Sequence, residues 1–168
     1  MRQPINFKNW INENRHLLKP PVGNKVVYED TDFMIMIVGG PNTRKDYHVD
    51  PIEEFFYQLE GDMVLRIRED GKPKDIVIKE GEIFLLPKNI PHSPQRFSNT
   101  VGLVVEYKRE IGKVDSFQWY CDDCHALLHE VDVQLKDIVK QLPPLFDAFW
   151  DNENARTCSQ CSAYLEKP

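Results

Sequence analysis

Between residues 26 and 107 the chain falls into short runs rich in β-branched and aromatic residues, at 26–28, 33–38, 55–59, 63–68, 76–79, 83–86 and 101–107. Gly, Pro, Asn and Asp separate these runs, and Gly39-Gly40-Pro41-Asn42, Glu69-Asp70-Gly71-Lys72-Pro73 and Lys79-Glu80-Gly81-Glu82 have the chemistry of tight turns. No such run can bury an apolar face alone. A succession of hairpins closing into a sandwich or barrel is therefore the economical architecture. The alternation in Val64-Leu65-Arg66-Ile67-Arg68 predicts one wet face and one dry.

The flanks read as helix. Phe7, Trp10, Ile11, Asn14, Leu17 and Leu18 follow helical spacing until Pro20-Pro21-Val22-Gly23 stops them. Val133, Leu135, Ile138, Val139 and Leu142 form an apolar stripe that predicts a helix over 132–142, broken by Pro143-Pro144 ahead of residues 145–150. The expected division is a barrel domain with its leading helix at residues 1–115 and an appended segment at 116–168. A chain of 168 residues can bury a core, and a hydrophobic fraction of 41% excludes a largely disordered chain. The net charge of −6 argues against nucleic acid as partner, while leaving individual arginines free to recognise a small anion. Met1-Arg2-Gln3-Pro4 carries no apolar signal core and nowhere do 18 apolar residues run together, so a cytoplasmic protein with no membrane partner is expected.

All four cysteines fall in two pairs, Cys121-x-x-Cys124 and Cys158-x-x-Cys161. Two such knuckles suffice for one tetrahedral site of four thiolates holding Zn(II) or Fe, with no open position and hence a structural role. Disulfides are the alternative. A nucleic-acid-binding ribbon is disfavoured by Asp122 and Asp123 inside the first knuckle.

A second candidate centre needs residues from separate runs. His48 and Glu54 lie close together, and His92 follows Glu54 by 38 positions. Two imidazoles and one carboxylate on facing strands can hold a divalent ion through one face. Up to three positions then remain for substrate and dioxygen, the arrangement of non-haem Fe(II) oxygenases. Each residue has a plainer reading. His16, His125 and His129 are read as surface or hydrogen-bonded residues, Glu53 as a solvated neighbour of Glu54, and Asp50 as a turn residue beside Pro51 or a weak extra ligand. Arg44 and Arg96 flank the histidines and suit a substrate carboxylate, because a guanidinium fork matches it with two parallel bonds, although Arg44 could equally pair with surface acids. Glu106 enters the apolar run Leu103-Val104-Val105, which makes it the acid/base candidate.

Gly40, His48, Asp50, Glu54 and Gly61 together resemble the first cupin motif, and Gly81, Pro87, Asn89 and His92 the second. Asp50 stands where many cupins have another histidine, so the resemblance implies two histidines and one glutamate. Leu17-Leu18-Lys19-Pro20-Pro21-Val22-Gly23-Asn24, Asp46-Tyr47-His48, Glu53-Glu54-Phe55-Phe56-Tyr57-Gln58, Pro91-His92-Ser93-Pro94-Gln95-Arg96 and the cysteine-bearing tail resemble the family of 3-hydroxyanthranilate 3,4-dioxygenases over nearly the whole chain. The implied fold is all-β, a cupin double-stranded β-helix or jelly-roll barrel with an N-terminal helix and a C-terminal helical, rubredoxin-like metal-binding appendage. The implied activity is ring-opening of 3-hydroxyanthranilate by Fe(II) and O2 to 2-amino-3-carboxymuconate semialdehyde, which cyclises to quinolinate on the route to NAD.

The same resemblance implies a homodimer, iron on His48, Glu54 and His92, and a second Fe or Zn on Cys121, Cys124, Cys158 and Cys161. Arg96 becomes the main carboxylate anchor, Arg44 stands near the substrate and oxygen, and Glu106 removes a proton. Asn24, on a loop able to close over substrate, and Pro94 shape the pocket. Two other readings remain open at this point: a different cupin enzyme, such as another dioxygenase or a metal-dependent isomerase, and a non-catalytic small-molecule sensor.

Overall fold

A computed structural model of the protein describes residues 2–20, 23–110, 112–135 and 138–168. Pro21 and Val22 of the expected stop, and the side chains of Ile138 and Val139, lie outside the described residues. Helix α1 spans Phe7–Asn14, with the Asn6 side chain accepting from the Asn9 N–H as its cap, and a 3₁₀ turn at Arg15–Leu17 completes the predicted leading helix. Eleven strands follow among the described residues: β1 Asn24–Val26, β2 Phe33–Gly39, β3 Asp46–Val49, β4 Glu54–Glu60, β5 Met63–Glu69, β6 Lys72–Ile78, β7 Ile83–Leu86, β8 His92–Arg96, β9 Val101–Tyr107, β10 Asp115–Tyr120 and β11 Leu127–Val133. Helices α2, Ile138–Trp150, and α3, Glu153–Arg156, close the chain.

The strands form two antiparallel sheets, β1-β2-β9-β4-β7 and β11-β10-β3-β8-β5-β6, the jelly-roll of a cupin barrel. Side chains alternate between faces of a strand, so the register decides what meets inside. Phe56, Leu86 and Val104 of the first sheet face Met63, Leu65, Ile67 and Ile78 of the second in one apolar core. At the turn between β5 and β6, Asp70 and Gly71 both have positive φ, which is the geometry that lets a two-residue loop follow the twist of its strands. The outer face of the first sheet is covered at one end by the leading helix, whose Ile11 and the nearby Leu18 pack on Ile37 and Val101.

The predicted helix over 132–142 is corrected. Asp132 and Val133 belong to β11, paired with Ser116 and Asp115 of β10, and the helix runs instead over Ile138–Trp150 straight through Pro143 and Pro144. Each proline removes a helical hydrogen bond and crowds the turn before it, a cost of about 3 kcal/mol in an isolated helix. Packing outweighs that cost: Leu142, Leu145, Phe146, Phe149 and Trp150 lie in one cluster with Phe117 and Trp119. Residues from 116 on are thus stitched into the six-stranded sheet as well as forming the cysteine-bearing end. No described helix is long and apolar enough to cross a membrane.

Candidate functional site

The alternation that sends leucine and phenylalanine inward in one half of the barrel sends polar residues inward in the other. On the first sheet Glu54 pairs with Glu106, and Gln58 with Gly102. Across the barrel His48 of β3 pairs with His92 of β8 and with Phe117 of β10. Pro94 and Arg96 follow His92 at alternate positions of the same strand. The result is a cavity of about 170 Å³ whose walls include His48, Glu54, His92, Arg44, Arg96, Glu106, Asn24 and Pro94, the eight residues singled out from sequence for the barrel. Asn24 is the first residue of β1 rather than part of a loop.

Glu54 Oε1 lies 3.2 Å from His92 Nε2 and 3.6 Å from His48 Nδ1. Ligand atoms at right angles on an ion with bonds of about 2.1 Å stand about 3 Å apart, so the three donors fit one face of an octahedral divalent ion. The remaining ring nitrogens are engaged. His92 Nδ1 donates to the Ile90 carbonyl at 2.9 Å, and His48 Nε2 meets Asp115 Oδ1 at 2.8 Å. Those contacts orient each ring and, once the ring is neutral, leave the inward nitrogen as the acceptor a metal requires. The His48 ring also stacks on Phe117, with centroids 4.8 Å apart.

Arg109 was not signalled by any motif, and it organises the acids of this centre. Its Nε donates to both oxygens of Asp115 at 2.7 and 2.8 Å, one terminal nitrogen donates to Glu106 at 2.9 Å, and the other to Asp50 at 2.8 Å. Asp50 also accepts from the Ile52 N–H at 3.0 Å, so it serves its turn and the cavity wall at once. Four buried carboxylates, Asp50, Glu54, Glu106 and Asp115, face two guanidiniums, Arg96 and Arg109, while Arg44 and Asp46 cancel as a pair. With every acid ionised and both histidines neutral, the four carboxylates outnumber the two guanidiniums by two, the formal complement of a divalent cation.

With no ion bound, protons take up that formal excess. Burial opposes charge on His48, but hydrogen bonds to Asp115 and Glu54 prevail and raise its pKa to about 9. Burial, reinforced by Glu54 and Asp50, pushes Glu106 up to about 8 against the pull of Arg109. Burial also lowers Arg96 to about 10. Arg44 is held charged, since Asp46, 3.0 and 3.1 Å from its Nε, outweighs burial.

A second cluster sits at the end of the chain. One sulfur of each of Cys121, Cys124, Cys158 and Cys161 lies within 4.8 Å of the others. Cys121 and Cys161 are 3.5 Å apart at sulfur, as are Cys124 and Cys158, too far for disulfides and close to the spacing of about 3.8 Å around a tetrahedral ion with bonds of about 2.3 Å. The two knuckles repeat one geometry. The Cys121 N–H donates to the Ala126 carbonyl and that of His125 to Cys121, as the Cys158 N–H donates to Ala163 and that of Ser162 to Cys158. His125 and Ser162 share φ 64. Backbone N–H groups of Cys161 and Gln160 aimed at the Cys158 sulfur hold its thiol down to about 7.

Known proteins resemble this chain closely. The family model described as 3-hydroxyanthranilic acid dioxygenase matches residues 1–150. A 3-hydroxyanthranilate 3,4-dioxygenase of Shewanella woodyi is 57% identical over 158 residues, covering 94% of this chain and 84% of that protein. Its counterpart in a Jannaschia species is 58% identical over 158 residues, covering 94% and 88%. The counterpart in Burkholderia cenocepacia is 54% identical over 160 residues, covering 95% and 90%. In fold, a crystal structure of a protein from Neisseria meningitidis aligns with 63% of this chain and 100% of its own, at 20% identity and a TM-score of 0.51.

Proposed function

The chain belongs to the 3-hydroxyanthranilic acid dioxygenase family, and from that premise we propose that it opens the ring of 3-hydroxyanthranilate with O2 at the barrel cavity, giving 2-amino-3-carboxymuconate semialdehyde, the precursor of quinolinate. The observation that carries the reading is the convergence of His48, Glu54 and His92 on a buried cavity in which carboxylates outnumber guanidiniums. Those three residues would hold Fe(II). When bound, the ion offers open positions at which the adjacent hydroxyl and amino groups of the substrate and O2 can meet.

The remaining work falls to side chains of this chain. Arg96, buried in the cavity wall, binds the substrate carboxylate and sets the ring's orientation. Arg44, fixed by Asp46, holds positive charge beside the reacting oxygen. Glu106 takes the proton that the substrate hydroxyl must lose, and Arg109 keeps its carboxylate pointed inward. Met36, Val38, Phe56, Val104 and Pro94 exclude water around the ring, with Asn24 at the cavity wall. In this reading catalysis belongs to residues 1–115, and the four thiolates within 116–168 hold an Fe or Zn ion that is structural.

A homodimer is part of the proposal. Beyond the leading helix, the outer face of the first sheet exposes Phe33, Tyr107, Leu85 and Ile83, an apolar patch suited to a second copy. A reducing cytoplasm suits four cysteines kept free. The central test is anaerobic reconstitution with Fe(II), followed by 3-hydroxyanthranilate and air. Oxygen consumption with appearance of the semialdehyde chromophore is expected; substrate binding without oxygen uptake would reduce the protein to a sensor.

A further inference from the structure

Arg96 is 3% exposed, and its Nε has no hydrogen-bond partner among the described residues. One terminal nitrogen donates to Gln58 Oε1 at 3.2 Å. Gln58 is itself buried and its amide is oriented, because its Nε2 donates to the Glu60 carbonyl at 3.1 Å across an irregularity in β4, which leaves Oε1 facing the guanidinium. Opposite Gln58 on β9 stands Gly102. A Cβ at that position would lie 2.5 Å from Arg96 Nη1, 2.8 Å from Gln58 Oε1 and 3.0 Å from Arg96 Nη2. The guanidinium therefore occupies the space that any other residue's side chain would fill.

We propose that Gly102, with Gln58, is the positioning residue that makes the cavity selective for a carboxylated substrate: the bare backbone of β9 is the surface on which the Arg96 guanidinium rests. The inference rests on the reading of Arg96 as the carboxylate anchor and adds what holds the anchor in place. The glycine is not required by backbone conformation, since Gly102, unlike Gly61 or Gly81, has no positive φ. The atoms an alanine would strike are the far ends of two flexible side chains rather than backbone. Gly102→Ala is accordingly expected to keep the fold and move the guanidinium. A buried guanidinium displaced from a planar carboxylate loses paired, charge-assisted bonds, which dominate recognition of that group.

The test compares anaerobic binding of 3-hydroxyanthranilate and of 2-aminophenol, which offers the same hydroxyl and amino groups but no carboxylate, to the Fe(II)-loaded protein. The parent chain is expected to prefer the carboxylated compound, and Gly102→Ala is expected to cut that preference by about tenfold or more. Gln58→Met, similar in size but without the acceptor, should cut it in the same direction, and it serves as the readout should the alanine variant fail to fold. A parent chain with no preference would remove the role of Arg96 and this inference together. A parent preference that survives in the folded variants, or affinity lost equally for both compounds, would overturn the inference alone.

Discussion

The barrel cavity and the four-cysteine cluster both gather side chains from distant parts of the chain, and they solve the problem in opposite ways. The cluster uses four identical donors on two copies of one knuckle, with backbone N–H groups turned toward sulfur. Its donor set is closed. The barrel site uses two imidazoles and one carboxylate on three strands, each ring oriented by a different partner, and would leave one face of a bound ion free. A closed set of ligands stabilises a fold, whereas an open set needs a surrounding network to hold its shape.

The most severe break in this contrast is His92→Ala, which removes a donor from the open site. Metal analysis should show the barrel ion lost, the thiolate ion retained and turnover abolished; loss of both ions would show that the two centres are not independent. Next comes Arg109→Leu, which leaves Asp50, Glu106 and Asp115 without their shared cation. Breaking a buried ionic network of this kind costs about 3–5 kcal/mol. Loosening Asp115, which holds the His48 ring, is expected to lower metal affinity by about 10–100-fold. Thermal unfolding and competition with a chelator would read the two losses, and an unchanged barrel affinity would remove Arg109 from the support of His48.

Cys121→Ser should act in the other direction. It is expected to lower the melting temperature and expose the C-terminal segment to protease, with turnover per barrel iron largely kept. Abolished turnover with that iron fully bound would overturn the structural assignment.

The smallest effect is on pH. His48 has its pKa raised from 6.5 to about 9, so its charged pairing with Asp115 and Glu54 stabilises the metal-free fold fully below pH 6.5 and is lost as pH rises through about 9. Metal must displace that proton, so the barrel's affinity for Fe(II) should climb over the same interval while metal-free stability from this group declines. A flat affinity between pH 6.5 and 9 would count against competition by a proton on His48.

Much of this was legible because periodicity and spacing report geometry. The apolar strands β2, β4, β5, β7 and β9 announce themselves, and His48, Glu54 and His92 are recognisable from their intervals. Strands β3 and β8 escape an apolar count because their inward positions carry Asp46, His48, His92 and Arg96, so that chemistry hides the strand. In β10 the signal was present, since Asp115, Phe117 and Trp119 alternate inward, but Asp115 gains meaning only once β10 lies beside β3. Arg109 and Gly102 depend on packing across strands, which no local pattern encodes. The helix over 138–150 defeated the proline rule because its stability comes from aromatic packing rather than propensity.

Strand β10 begins at Asp115, pairs along β3 beside His48, and delivers the chain to Cys121. A truncation just before it would strip one flank from β3 and leave the unpaired N–H and C=O groups of a raw sheet edge, the kind of surface that recruits other chains. A shortened version of this protein would therefore be expected to clump before it could be assayed, and surgery intended to isolate the barrel should leave that strand in place.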